Sequence, residues 1–226
     1  MQKIILLAMA VALSMPCTFA ADQNKQKDQD NAKKEAIKQT KKELNQKASK
    51  NARNESKKLV KEGWLTAPGA LPLEKQLDRS YMMQYEYDEA GLPKYIMAEA
   101  MSIGENYDGA KMQALELSKI NLAAQIQSEV AALVENTVAN KQLSSEEAAT
   151  ITESVNSSKS LITQSLGRVL PVVEVYRVKD NKNKEVLVRL AYNVDMAKAV
   201  AKQAIRKDLE AKGKDLHEQL DTVLGE

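Results

Sequence analysis

The sequence predicts an α+β domain: a small antiparallel or mixed sheet packed by one long amphipathic helix, with extra helices at both ends. Three observations predict it. Residues 172–179 and 185–194 read as two strands around a polar loop, residues 95–103 read as a third strand, and residues 108–134 carry apolar side chains at helical spacing. With 43% hydrophobic residues but one Phe, one Trp and seven Tyr, the core must be built from aliphatic side chains and Ala.

Taken in order, Lys3, the apolar run from Ile4 to Leu13 and the small residues Thr18 and Ala20 match a secretory signal peptide over residues 1–20. The run is too short to span a bilayer comfortably. Lipidation at Cys17 is the alternative, although Pro16 and Ser14 stand where a lipobox wants a small and an aliphatic residue. Cleavage after Ala20 removes the sole cysteine, so the mature chain has no thiol for disulfides, nucleophilic catalysis or zinc. No later run of about 18 apolar residues follows, so no transmembrane helix is expected in the mature chain.

Residues 21–62 contain 13 basic and 7 acidic residues, whereas residues 63–226 contain 19 and 24. The overall charge of +2 therefore hides a basic arm on an acidic body. The arm has only Ile37, Leu44, Leu59 and Val60 as large aliphatics, which predicts a polar, helical or disordered segment whose deletion leaves the body folded. Lys33, Lys34, Lys41, Lys42, Lys57, Lys58 and Lys61 are its candidate contacts to an anionic lipid, an acidic glycan or an envelope protein.

Residues 63–93 read as a hinge and short helix. Gly63, Pro68, Gly69 and Pro72 interrupt the chain, Trp64 is expected to cover the core edge, and Leu73 to Tyr87 can form a helix before the turn at Ala90-Gly91-Leu92-Pro93. The core domain is then expected over residues 94–212. Its first strand, Tyr95 to Ile103, carries Ile96, Ala98, Ala100 and Ser102 on a face small enough for a helix to approach closely. The opposite face carries Tyr95, Met97, Met101 and Ile103 around Glu99.

Asp108 is the expected N-cap of the long helix, in which Met112, Leu115, Leu122, Ala123, Ile126, Val130, Leu133 and Val134 fall within roughly 120° of arc. Ser144 to Glu147 resembles a capping box that opens a second helix running to Leu166, where Gly167 stops it. The strands of the hairpin follow, the second with Val186, Val188, Leu190, Tyr192 and Val194 on one face. Asp195 is the expected cap of the last helix. Gly213 is its weak point, leaving residues 213–226 as a helical tail that projects or meets another chain.

Motifs for chemistry are scarce. Gly104 to Met112 lies between strand and helix as a phosphate loop would, but Ala110 replaces the required Lys, no hydroxyl follows, and Glu105 and Asp108 would repel phosphate. His217 is the only histidine, which excludes a histidine metal cluster, and no GxSxG elbow accompanies it. No catalytic, metal or cofactor-binding residue is assigned. The alternative is a carboxylate-dependent hydrolase of an envelope polymer, with Glu99, Glu105, Asp108 and Glu174 converging near one end of the sheet. An acidic body and a basic arm without aromatic residues before Trp64 argue against a nucleic-acid partner.

The runs Tyr95-Ile96-Met97-Ala98-Glu99-Ala100-Met101-Ser102, Ala110-Lys111-Met112-Gln113-Ala114-Leu115 and Asn121-Leu122-Ala123 resemble the small bacterial envelope lipoproteins of the LPP-twenty family. The resemblance extends over about residues 94–200. It implies an α+β domain in the periplasm or at the outer membrane with no family catalytic residues to transfer, acting as a binding or structural module. A homo-oligomer is compatible with it.

Overall fold

The strands at residues 95–104, 171–178 and 184–193 form as their alternation dictates, and a fourth, short strand joins them. The computed structural model describes residues 34, 38, 46–67, 69–140, 143–167 and 169–224. The expected signal peptide, Cys17, Lys33, Lys41 and Lys42 lie outside the described residues. Two compact units are distinguished, Met1–Lys47 and Ala48–Glu226. In the first, Lys34 and Lys38 are helical and exposed.

The second unit is α+β and runs α1 (Lys50–Lys61), β1 (Leu65–Thr66), α2 (Leu73–Gln84), β2 (Tyr95–Gly104), α3 (Tyr107–Ala139), α4 (Ser145–Ser157), α5 (Lys159–Ser165), β3 (Pro171–Val178), β4 (Lys184–Asn193), α6 (Val194–Ala211) and α7 (His217–Leu224). The antiparallel sheet has the order β1-β3-β4-β2. One face carries Ile96, Ala98, Val186, Val188, Leu190 and Tyr192 against α3 and the helices behind it. The other carries Val173 and Val175, with Met97, Leu187 and Ala191 at their side, beneath α1 and α2.

Close approach of α3 to β2 depends on small side chains. Ala110 and Ala114 are fully buried, Ser118 bonds the Val188 carbonyl at 3.0 Å, and a side chain at Gly104 would meet the Ala110 backbone nitrogen at 3.1 Å. Farther along, Leu122, Ala123, Ile126, Val130 and Val134 are buried as expected, but Met112 is exposed. The first turns of α3 turn their Ala and Ser side chains to the sheet because a Met there would hold the helix away.

Both expected caps shift by two residues. Asn106, rather than Asp108, accepts the Gly109 amide at 2.8 Å, and Asn193, rather than Asp195, accepts the Met196 amide at 3.0 Å. Asp108 and Asp195 sit instead in the first turns, where their charges complement the helix dipoles. The capping box of Ser144 and Glu147 forms. The expected single helix to Leu166 breaks at Ser158: Gln127 donates to the carbonyls of Val155 and Asn156 at 2.7 and 2.8 Å, and the Ser158 hydroxyl to Val155 at 2.7 Å. Side-chain donors thus compete with the helical ladder at that point.

The structure corrects both expected appendages. Residues 48–62 do not form a coreless arm: Ala48 and Ala52 are buried with Trp64, Leu73, Leu77, Val172, Val173 and Val175, and Leu59 packs against them. Ser49 caps α1, its amide donates to Asp78 at 3.0 Å, and the Tyr81 hydroxyl donates to Glu55. Deleting residues 21–62 would uncover this cluster. At the other end, Gly213 interrupts the chain with φ +67, but α7 folds back and buries Leu220, Val223 and Leu224 in the main core. Arg206 and Lys202 hold Asp221 at 2.7 and 3.1 Å, and Gln219 donates to Glu147 at 3.1 Å. Among the described residues, no helix is long and apolar enough to cross a membrane.

Candidate functional site

Of the four carboxylates expected to converge, Glu174 lines a polar cleft that holds none of the other three. This cleft, about 470 Å³, lies between the loop after β1, the start of β3 and the first turn of α3. Lys111 reaches Glu174 at 2.8 Å, and the Tyr107 hydroxyl donates to the same carboxylate. The Glu174 amide donates to Gln76 Oε1 at 2.7 Å, while Gln76 Nε2 donates to the Leu71 carbonyl at 2.7 Å. Burial, the hydrogen bond to Glu174 and that residue's charge push the Tyr107 phenol well above its ordinary pKa, so it stays protonated. The cluster fastens the start of α3 to β3. Arg79 lies at its rim without an ion-pair partner among the described residues.

Glu99 is on the opposite face of the sheet. It pairs with Arg189 at 2.8 Å, and Arg189 also donates to Ser80 Oγ at 3.1 Å. Alternation along β2 and β3 thus separates Glu99 from Glu174, correcting the expectation that they meet. Glu105 and Asp108 are exposed at the start of α3. Two acids flanking one bond, the arrangement glycoside hydrolysis requires, are not assembled by this set. His217 lies 3.7 Å from Glu210, and no group of three or more His, Cys, Asp or Glu among the described residues could hold a metal ion. Lys34, Lys57, Lys58 and Lys61 are exposed, the last three on α1.

A second feature is the free edge of β2. Among the described residues the strand pairs only with β4, through ten consecutive residues without a bulge. Val194 N–H donates to the Lys94 carbonyl at 2.9 Å, which makes Lys94 and the alternate residues after it the hydrogen-bonded positions toward β4. The N–H and C=O groups of Tyr95, Met97, Glu99, Met101 and Ile103 therefore point away from the sheet. Asn121 of α3 covers one of them, donating to the Glu99 carbonyl at 2.9 Å.

Exposed apolar side chains flank this edge on both sides. Met101 and Ile103 are 54% and 51% exposed on the face away from α3. On α3, Gln113 accepts from Ser102 and Asn121 reaches Glu99, so Leu117, midway between them on the same stripe, lies over the edge with Ile120 beside it. These two are 38% and 39% exposed. Next to Met97, Glu55, Tyr81, Gln84, Tyr85 and Arg189 enclose a groove of about 360 Å³. The sequence signalled this edge weakly, through a strand that is apolar on both faces, but strand order alone shows that its edge is free.

Comparison with protein-family models, with curated proteins and with solved structures finds no match.

Proposed function

We propose that this protein is an exported, non-enzymatic binding module of the bacterial cell envelope that engages its partner through the free edge of β2. The observation that carries the proposal is that edge: ten residues long, free of Lys, Pro and bulges, and bordered by Met101, Ile103, Leu117 and Ile120. Natural sheets ordinarily blunt such an edge, because its unpaired backbone groups recruit another strand. Export is supported by the signal-like residues 1–20, and an envelope location by the resemblance to the LPP-twenty family. The exposed Lys57, Lys58 and Lys61 supply a secondary contact for anionic lipid or glycan.

A photo-crosslinking residue placed at Ile103 in intact cells tests the proposal, with Met82, exposed on α2, as the control position. Adducts specific to position 103 are expected in the envelope fraction. Equal labelling at both positions, or recovery of the protein in the cytosol, would contradict it.

A further inference from the structure

We infer that the partner of the β2 edge is a second copy of this chain, paired antiparallel about Ala100. This inference rests on the binding role assigned to that edge above and names its occupant. A strand paired with itself about a two-fold axis makes a self-complementary contact, the commonest symmetry of oligomers. Centring on Ala100 engages the outward backbone groups of Met97, Glu99, Met101 and Ile103 with those of the second copy. It sets Met97 opposite Ile103 of the second copy, and Glu99 opposite Met101 of the second copy.

Three observations fit this register. First, Ile103, half exposed in one copy, arrives beside Met97 of the other, where the groove of about 360 Å³ lies open to receive it. Second, the strand ends are complementary in charge. Lys94 precedes β2 and Glu105 follows it, and in this register Glu105 of one copy falls opposite Tyr95 of the other, so antiparallel pairing brings each copy's anion within one residue of the other's cation. Glu105 has no ion pair among the described residues, and Lys94 has only an exposed one, to Glu86 at 3.0 Å. The one charge within the strand, Glu99, is already matched by Arg189, so nothing in β2 repels its own copy.

Third, the area suffices. The strand is about 34 Å long, and one strand edge with one helix flank is about 20 Å wide, giving roughly 700 Å² per copy against the ~800 Å² of a standard interface. With both copies of α3 on the same side of the joined sheet, Leu117 and Ile120 meet their counterparts near the axis. Asn121 must release the Glu99 carbonyl to the incoming strand, and its amide then turns to the rim.

The test is the mass of the purified full chain by sedimentation equilibrium. The mass is expected to rise with concentration from that of one copy toward twice that value. Glu105→Lys, on the exposed surface, should weaken dimerisation about tenfold by replacing two attractive end contacts with repulsive ones. Adding Lys94→Glu to it should restore the affinity to within about twofold, because the neighbouring end charges are again opposite in sign. A chain that stays monomeric, or a charge swap that does not rescue, overturns self-pairing. A crosslink at Ile103 to a different protein would then leave the binding role standing, whereas no specific adduct at all would remove both.

Discussion

Along the β3 side of the sheet, β1 pairs with Val175 and Tyr176, Trp64 lies buried under the Arg177 guanidinium, 4.5 Å from its ring centroid, and Gln76 takes up the Glu174 amide. Along β2, a single asparagine covers one carbonyl of a ten-residue strand. The same sheet thus closes one edge with β1, Trp64 and Gln76 and, among the described residues, leaves the other open. The sealed edge is where stability should be lost on substitution, and the open edge is where association should be lost with the fold intact.

The largest expected effect lies at the sealed edge. Trp64→Ala should cost about 3–5 kcal/mol, measured by denaturant unfolding, because it empties the centre of the cluster that joins α1 and α2 to β3. A loss no greater than that of a surface substitution would show that this edge is closed without it. Gln76→Ala should cost about 1–3 kcal/mol by leaving the Glu174 amide and the Leu71 carbonyl without their partner. If the loss matches that of an exposed Gln→Ala change instead, solvent satisfies these groups and the edge is less sealed than its geometry indicates.

Acid should act away from both edges, where α7 is held. Burial pushes Asp221 up, but Lys202 and Arg206 outweigh it and hold its pKa below the ordinary value; Lys212, Ser154 and Ser157 do the same against burial at Asp208. With folded pKa values depressed, the unfolded chain binds more protons in the interval, so the stabilisation present above the ordinary carboxylate range is lost as pH falls through the folded values. Glu129, which burial pushes up against the pull of Lys198, acts in the opposite sense. Melting temperatures should therefore drop below about pH 4, and Asp221→Asn should flatten part of that drop. An unchanged profile in the variant would place the acid sensitivity elsewhere.

The smallest effect on folding belongs to the open edge. Ile103→Lys should change the stability of the monomer by no more than about 0.5 kcal/mol while abolishing association, since the side chain faces solvent until a partner arrives. A large destabilisation would mean that Ile103 serves the fold of its own chain and would erase the contrast between the edges.

Much of the architecture was legible in the residues. Val186, Val188, Leu190 and Tyr192 alternate because one face of β4 is core, and Leu122, Ile126, Val130 and Val134 mark the buried side of α3 for the same reason. The terminal segments are hidden in the sequence for two different reasons. Ala48 and Ala52 contribute to a core through closeness rather than size, so counting large aliphatics overlooked α1. Leu220, Val223 and Leu224 formed a visible stripe, but Gly213 only breaks the helix and does not say which way the chain turns next.

The candidate site was less legible, because it depends on strand order. Glu99 and Glu174 are similar as residues, and only the sheet places them on opposite faces, each with its own cation. Met101 and Ile103 were readable as the second face of a strand. That their edge lacks a neighbouring strand among the described residues follows from the order β1-β3-β4-β2, which places β2 last.

Hydrogen exchange of individual amides, followed as the concentration of the full chain is raised, tests the open edge most directly. Self-pairing predicts that the N–H groups of Met97, Glu99, Met101 and Ile103 gain protection together as concentration increases, while those of Leu65 and Val172 on the sealed side do not change. Exchange at those four amides that is independent of concentration would contradict it.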